Sequence, residues 1–103
     1  MKINFDEKNN NLKIYLKDDI DSSVCKNMKN ILDGYILKYQ PRNIYLDLEK
    51  VNFMDSSGIG LIMGRYKFAK MFNSNIYVVN PNPKIKKIME ISNMKEIIEI
   101  VEE

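Results

Sequence analysis

The sequence predicts an α/β protein in which helices pack on a mixed sheet of four to five strands. Short segments with apolar residues at every second position share the chain with segments whose apolar residues recur every three to four positions. After the first two strands, each predicted strand is separated from the next by a helix, as parallel pairing requires. The length of 103 residues and the apolar fraction of 45% fit one domain, residues 1–103, with a single core.

The first half of the chain predicts a hairpin, a helix and a central strand. Apolar and polar residues alternate in 3–7 and 12–17, and three asparagines separate the two segments, which is typical of a β-hairpin. Apolar residues from Val24 to Tyr39 follow helical spacing, and the helix should end before Pro41. Residues 43–48 form a nearly continuous apolar run, typical of a strand covered on both faces.

The second half repeats the order of strand and helix. Apolar residues from Ile59 to Ala69 mark a second helix, and residues 76–79 a further strand. Asn82 is a predicted cap for a third helix with Pro83 at its first position. Residues 92–94 predict a turn in which Asn93 takes a left-handed conformation, and 97–101 predict a last strand.

Composition excludes several classes of function. Sixteen basic and fourteen acidic residues give a net charge of +2, too little for a nucleic-acid surface. With one cysteine and no histidine, the sequence lacks the usual zinc sites and the imidazole base of Ser-His-Asp catalysis, so we expect no metal, no cofactor and no enzyme activity. No apolar run reaches a membrane-spanning length and no apolar signal segment follows Met1, so we expect no membrane association and a cytoplasmic location.

Residues 55–60 offer a carboxylate and two hydroxyls between a buried strand and a helix. Asp55, Ser56 or Ser57 can cap the helix, a contribution of about 1 kcal/mol. A dinucleotide-binding loop does not fit, because Met63 stands at the third glycine position, and a receiver with Asp55 as phosphoacceptor lacks its acidic pocket and later lysine. A regulatory phosphoserine is a further interpretation beside the helix cap, since a helix N-terminus stabilises a phosphate.

The run Phe53-Met54-Asp55-Ser56-Ser57-Gly58-Ile59-Gly60, continued by Gly64-Arg65-Tyr66-Lys67, resembles the signature of anti-sigma factor antagonists of the STAS family, especially the sporulation type. The resemblance extends to Asp19-Ile20-Asp21 and to residues 80–94, although Asp18 replaces a usual glycine. It implies a STAS fold and phosphorylation of Ser57 by an anti-sigma factor that is a serine kinase. The unphosphorylated protein would bind this kinase and release the sigma factor, and a serine phosphatase would reset Ser57.

The same resemblance implies a partner-binding surface around Ser57, with a nucleotide at the partner interface. Asp21 would lie beside Ser57, although its residue type and position also fit an N-cap of the first helix. Glycines would let the partner backbone come close, and Ile59 would be an apolar anchor or part of the core. The expected surface comprises Asp21, Asp55, Ser56, Gly58, Ile59 and Gly60. The alternative is a constitutive STAS subunit, structural or nucleotide-sensing, in which Ser57 acts mainly as a helix cap and no kinase is involved.

Overall fold

The computed structural model describes residues 1–103, and its elements follow the predicted order. The strands are β1 Lys2–Asp6, β2 Asn11–Tyr15, β3 Asn43–Asp47, β4 Asn75–Val79 and β5 Glu99–Val101. The helices are α1 Ser22–Tyr39, α2 Ser56–Lys70 and α3 Pro83–Ile91, followed by a 3₁₀ turn at Met94–Glu96. The strands form one sheet in the order β1-β2-β3-β4-β5, in which β1 pairs antiparallel with β2 and each of the other neighbouring pairs is parallel. This mixed sheet with its helices confirms the predicted fold class.

Local signals at the ends of the elements are confirmed. The Asn82 side chain accepts a hydrogen bond of 2.8 Å from the Ile85 N–H, and Pro83 is the first residue of α3. Asn93 takes the left-handed conformation, with φ of 62°. The last strand is shorter than predicted, because the N–H of Ile98 donates to the carbonyl of Met94 and continues the preceding turn instead of pairing in the sheet.

The core lies on one face of the sheet, which all three helices cover. The inward side chains of the three central strands are almost fully buried and pack against buried side chains of the helices. Those of the strands are Leu12, Ile14, Ile44, Leu46, Ile76 and Val78, and those of the helices are Met28, Leu32, Ile36, Leu61, Ile62, Ala69, Ile85 and Met89. None of the helices has both the length and the apolar character needed to cross a membrane.

The opposite face of the sheet carries no helix, so the prediction that β3 is covered on both faces is wrong. On this face, the side-chain amide of Asn43 bonds to that of Asn11 at 3.0 Å, and the amide of Asn75 bonds to Asn43 at 3.2 Å. The rings of Tyr45 and Tyr77 stack with their centroids 5.0 Å apart. Tyr45 makes the β3 run look apolar throughout, but a tyrosine ring also suits a half-exposed sheet surface, where its neighbour can shield it.

Candidate functional site

The candidate site lies where the N-termini of α1 and α2 meet. Ile20 and Met54 form an isolated parallel bridge just before the two helices. The Ile20 N–H donates to the Phe53 carbonyl at 2.9 Å, and the Asp55 N–H donates to the Ile20 carbonyl at 3.2 Å. The two entering segments therefore run side by side, and Asp21 and Asp55 each follow directly after the bridge that joins them.

Each helix begins with an aspartate cap. The Asp55 carboxylate accepts from the N–H groups of Ser57 at 2.8 Å and Gly58 at 3.4 Å. The Asp21 carboxylate accepts from the Ser23 N–H at 2.9 Å and from the Ser23 hydroxyl at 2.5 Å. Hydrogen bonding to the Ser23 side chain lowers the pKa of Asp21 below its ordinary value. The capping interpretation is confirmed for both aspartates, and it places Ser57 inside the first turn of α2.

The hydroxyl of Ser57 has no structural task in the fold. Asp55 supplies the helix cap, so the suggestion that Ser57 acts mainly as a cap is wrong. Ser57 is half-buried and Ser56 is exposed, and the side-chain hydroxyl of Ser57 takes part in no hydrogen bond. Its backbone carbonyl lies 3.5 Å from the Cys25 sulfur. The Ser57 hydroxyl, at the N-terminus of α2, is therefore free to react without breaking a hydrogen bond of the fold.

The glycines of the motif differ in their surroundings. A Cβ at Gly58 would lie 2.2 Å from Met54 Cγ and 3.0 Å from Ile20 Cγ2, beneath the bridge that joins the two segments. Gly58 is buried, so the close approach that we expected of a partner is made instead by the protein's own Met54. Gly60 is exposed, and a Cβ there meets nothing within 4 Å. Ile59 is half-buried and packs against the core.

Cys25 lies beside the site as a half-buried side chain. Burial raises the pKa of its thiol, and the negative charges of Asp55 and Asp21 act in the same direction. This environment disfavours the thiolate, so Cys25 is better suited to packing than to acting as a reactive thiol. The chain contains no group of three His, Cys, Asp or Glu side chains placed to hold a metal ion.

An ion pair joins α1 to α2 close to the site, and it was not predicted. Arg65 Nε lies 2.6 Å from Asp33 Oδ1, and Lys29 Nζ lies 3.3 Å from Asp33 Oδ2. The Arg65 and Asp33 side chains are only 7% and 17% exposed, so water screens their attraction weakly. The contact lacks hydrogen-bond geometry and acts through charge. The four-residue spacing of Lys29 and Asp33 was visible in the sequence, but nothing in the sequence identified Arg65 as the second cation that pairs with Asp33.

Comparison with known proteins supports the fold and shows the family. The sequence profile of the STAS domain matches residues 2–103. The chain is 30% identical to the anti-sigma F factor antagonist of Paenibacillus polymyxa over 87 residues, which cover 84% of this chain and 74% of the relative. It is 33% identical to the anti-sigma-B factor antagonist of Staphylococcus aureus strain NCTC 8325 / PS 47 over 61 residues, 59% of this chain and 56% of that one.

The fold is also similar to solved structures of the anti-sigma factor antagonist SpoIIAA. The unphosphorylated form superposes with a TM-score of 0.83 at 20% identity, covering 99% of this chain and 86% of SpoIIAA. The phosphorylated form, from Bacillus, superposes with a TM-score of 0.74, also at 20% identity, covering 99% and 89%. Both comparisons bear on the fold, which is common to the two forms.

Proposed function

Because this chain belongs to the STAS domain family, with the domain profile spanning residues 2–103, we propose that it is an anti-sigma factor antagonist controlled by phosphorylation of Ser57. In its unphosphorylated form it binds an anti-sigma factor that is a serine kinase, and the sigma factor is released. Transfer of a phosphate from ATP on the kinase ends the binding, and a serine phosphatase restores it. The names of the two relatives support the antagonist role.

The uncommitted hydroxyl of Ser57 is the observation that carries this proposal. Asp55 already caps α2, so a modified Ser57 leaves the cap in place. The hydroxyl stands on a turn whose N–H groups and dipole favour negative charge, and the domain should therefore stay folded after phosphorylation.

Phosphorylation would change the binding surface through charge. A phosphoserine carries about −1.5 to −2 charges at neutral pH, and here it would stand beside the carboxylates of Asp55 and Asp21. Desolvating this cluster in an interface is unfavourable, and a loss of about 3 kcal/mol weakens binding more than a hundredfold. The surface expected to meet the partner around Ser57 consists of Asp21, Asp55, Ser56, Ile59 and Gly60, with Gly58 supporting it from beneath.

The first experiment incubates the protein with its cognate anti-sigma factor kinase and ATP, followed by intact mass and fragmentation. We expect a single phosphate on Ser57. Ser57→Ala should remain unmodified, while Ser56→Ala should be modified normally. Ser23→Ala is the matched control and should still be phosphorylated on Ser57. Ser23 stands two residues after the aspartate that caps α1, as Ser57 stands two residues after the aspartate that caps α2.

Binding measurements complete the test. Ser57→Asp should lose capture of the kinase by about a hundredfold or more while keeping the far-ultraviolet circular dichroism of the parent protein. Ser57→Ala should bind whether or not ATP has been added. An unmodified protein in the presence of an active kinase, or full binding by Ser57→Asp, would favour the constitutive STAS subunit instead.

A further inference from the structure

A groove of 410 Å³ runs between α1 and α2 and begins beside Ser57. Its α1 side is formed by Cys25, Lys26 and Lys29, and its α2 side by Gly60, Leu61, Gly64 and Arg65. A Cβ built at Gly60 or Gly64 meets nothing within 4 Å, so the two glycines keep the α2 side open. At the other side, the Cys25 sulfur lies 3.5 Å from the Ser57 carbonyl. A molecule that covers Ser57 can therefore continue directly into the groove.

The groove is positively charged. Lys26 is exposed and forms no ion pair, whereas Lys29 and Arg65 share the single carboxylate of Asp33. Away from the Ser57 end, three cations against one carboxylate leave two net positive charges along the groove. The Lys29 side chain is 53% exposed despite its ion pair, so its charge also faces the opening. The carboxylates of Asp21 and Asp55 act on Cys25 at the Ser57 end of the groove, where each is held in a helix cap.

We propose that this groove binds an acidic segment of the anti-sigma factor, and that the phosphate on Ser57 acts partly by cancelling the charge that attracts this segment. The inference rests on the proposed function and adds the docking surface and the chemistry of the partner. Shape supports it, because the glycines admit a segment of backbone that a larger residue would exclude. Charge complementarity supports it as well, since the unpaired Lys26 and the exposed Lys29 at the rim favour approaching carboxylates.

The position of the phosphate explains how one modification affects the end of the groove nearest Ser57. Ser57 lies about one helical turn, roughly 5–6 Å, from Gly60 and Leu61. This distance is shorter than the Debye length of about 8 Å at physiological salt, so the phosphate and the near end of the groove interact with little screening. Its charge of about −1.5 to −2 is close in size and opposite in sign to the two net positive charges of the groove.

Filling the groove tests its shape. Gly64→Leu places a side chain in open space, so the helix should fold at least as well as in the parent protein. Gly34→Leu is the matched control, because Gly34 is exposed on α1 with nothing within 4 Å of its Cβ and does not line the groove. In calorimetric titrations against the kinase, we expect Gly64→Leu to bind more than about tenfold more weakly and Gly34→Leu to bind as the parent does.

Reversing a charge tests the electrostatic part. Lys26→Glu should weaken binding more than about tenfold and make the remaining affinity less sensitive to salt than that of the parent protein. Lys67→Glu makes the same charge change on an exposed residue of α2 outside the groove, and we expect it to stay within about twofold of the parent.

The outcomes separate the docking proposal from the proposed function. If the parent protein binds the kinase and Ser57→Asp does not, while Gly64→Leu and Lys26→Glu bind as the parent does, the groove is not the docking surface and the Ser57 switch stands. If the parent protein neither binds the kinase nor accepts phosphate, both proposals are overturned.

Discussion

Replacing Gly58 by alanine tests whether this glycine is required for packing at the point where the two helix N-termini meet. The added Cβ would lie 2.2 Å from Met54 Cγ and 2.8 Å from Met54 Sδ. Carbon atoms in contact prefer about 3.5–4.0 Å, so the Met54 side chain would have to move by more than about 1 Å. Met54 is only 1% exposed and Ile20 is fully buried, so the surroundings leave little space for that movement.

The expected loss of stability follows from two opposing effects. Overpacking of this kind costs about 1–3 kcal/mol, whereas replacing glycine by alanine in a helix gains up to about 1 kcal/mol. Gly58→Ala should therefore be about 1–2 kcal/mol less stable than the parent protein. Gly34→Ala, which meets nothing within 4 Å, should instead be more stable by about 0.5–1 kcal/mol.

Urea denaturation followed by circular dichroism measures both changes. A double-mutant cycle with Met54→Ala identifies the clash, because removing the Met54 side chain should make room for the alanine and give a coupling of about 1 kcal/mol or more. The packing explanation fails if Gly58→Ala is stabilised as Gly34→Ala is, or if the cycle shows no coupling.

Three further predictions concern the charged groups near the site. Asp33→Asn should lower the free energy of unfolding by about 3 kcal/mol in urea denaturation at neutral pH, because it leaves the buried Arg65 charge without its partner. At pH 8, Cys25 should react with a thiol-specific disulfide reagent more slowly than an exposed cysteine does. Asp55→Asn should speed this reaction by lowering the thiol pKa; equal rates for Cys25 in the parent protein and in Asp55→Asn would contradict the charge contribution of Asp55. Folding lowers the pKa of Asp21, so the stability that its charge contributes is full above the ordinary pKa of 3.8 and is lost as the pH falls through the lower pKa of the folded state. In acid titrations of stability, the parent protein and Asp21→Asn should therefore converge in that pH range.

Features set by neighbouring residues were predictable from the sequence. The cap at Asn82, the left-handed Asn93 and the order of strands and helices depend on contacts within a few positions of the chain. Ser57 was singled out on a different ground, because its motif resembles a known family signature, and its phosphorylation stays a prediction. The capping roles of Asp21 and Asp55 followed from residue type and position.

Features that depend on which elements pack together were decided by the tertiary structure. Side chains along β3 point alternately to the two faces of the sheet, and this alternation is compatible with one or two covered faces. Because all three helices lie on one face of the sheet, Tyr45 and Tyr77 lie on the uncovered face. Likewise, the role of Gly58 depends on Met54 and Ile20 meeting above it, and the partner of Arg65 lies on a different helix.

The sequence by itself therefore determined the elements and their caps, because these follow from local backbone chemistry. The tertiary structure decided that Ser57 is free of a structural role, that Gly58 is a packing residue and that a basic groove extends from the site. The reason is physical: burial, ion pairing and surface shape depend on residues distant in the chain, whose contacts exist only once α1 and α2 lie together on the sheet.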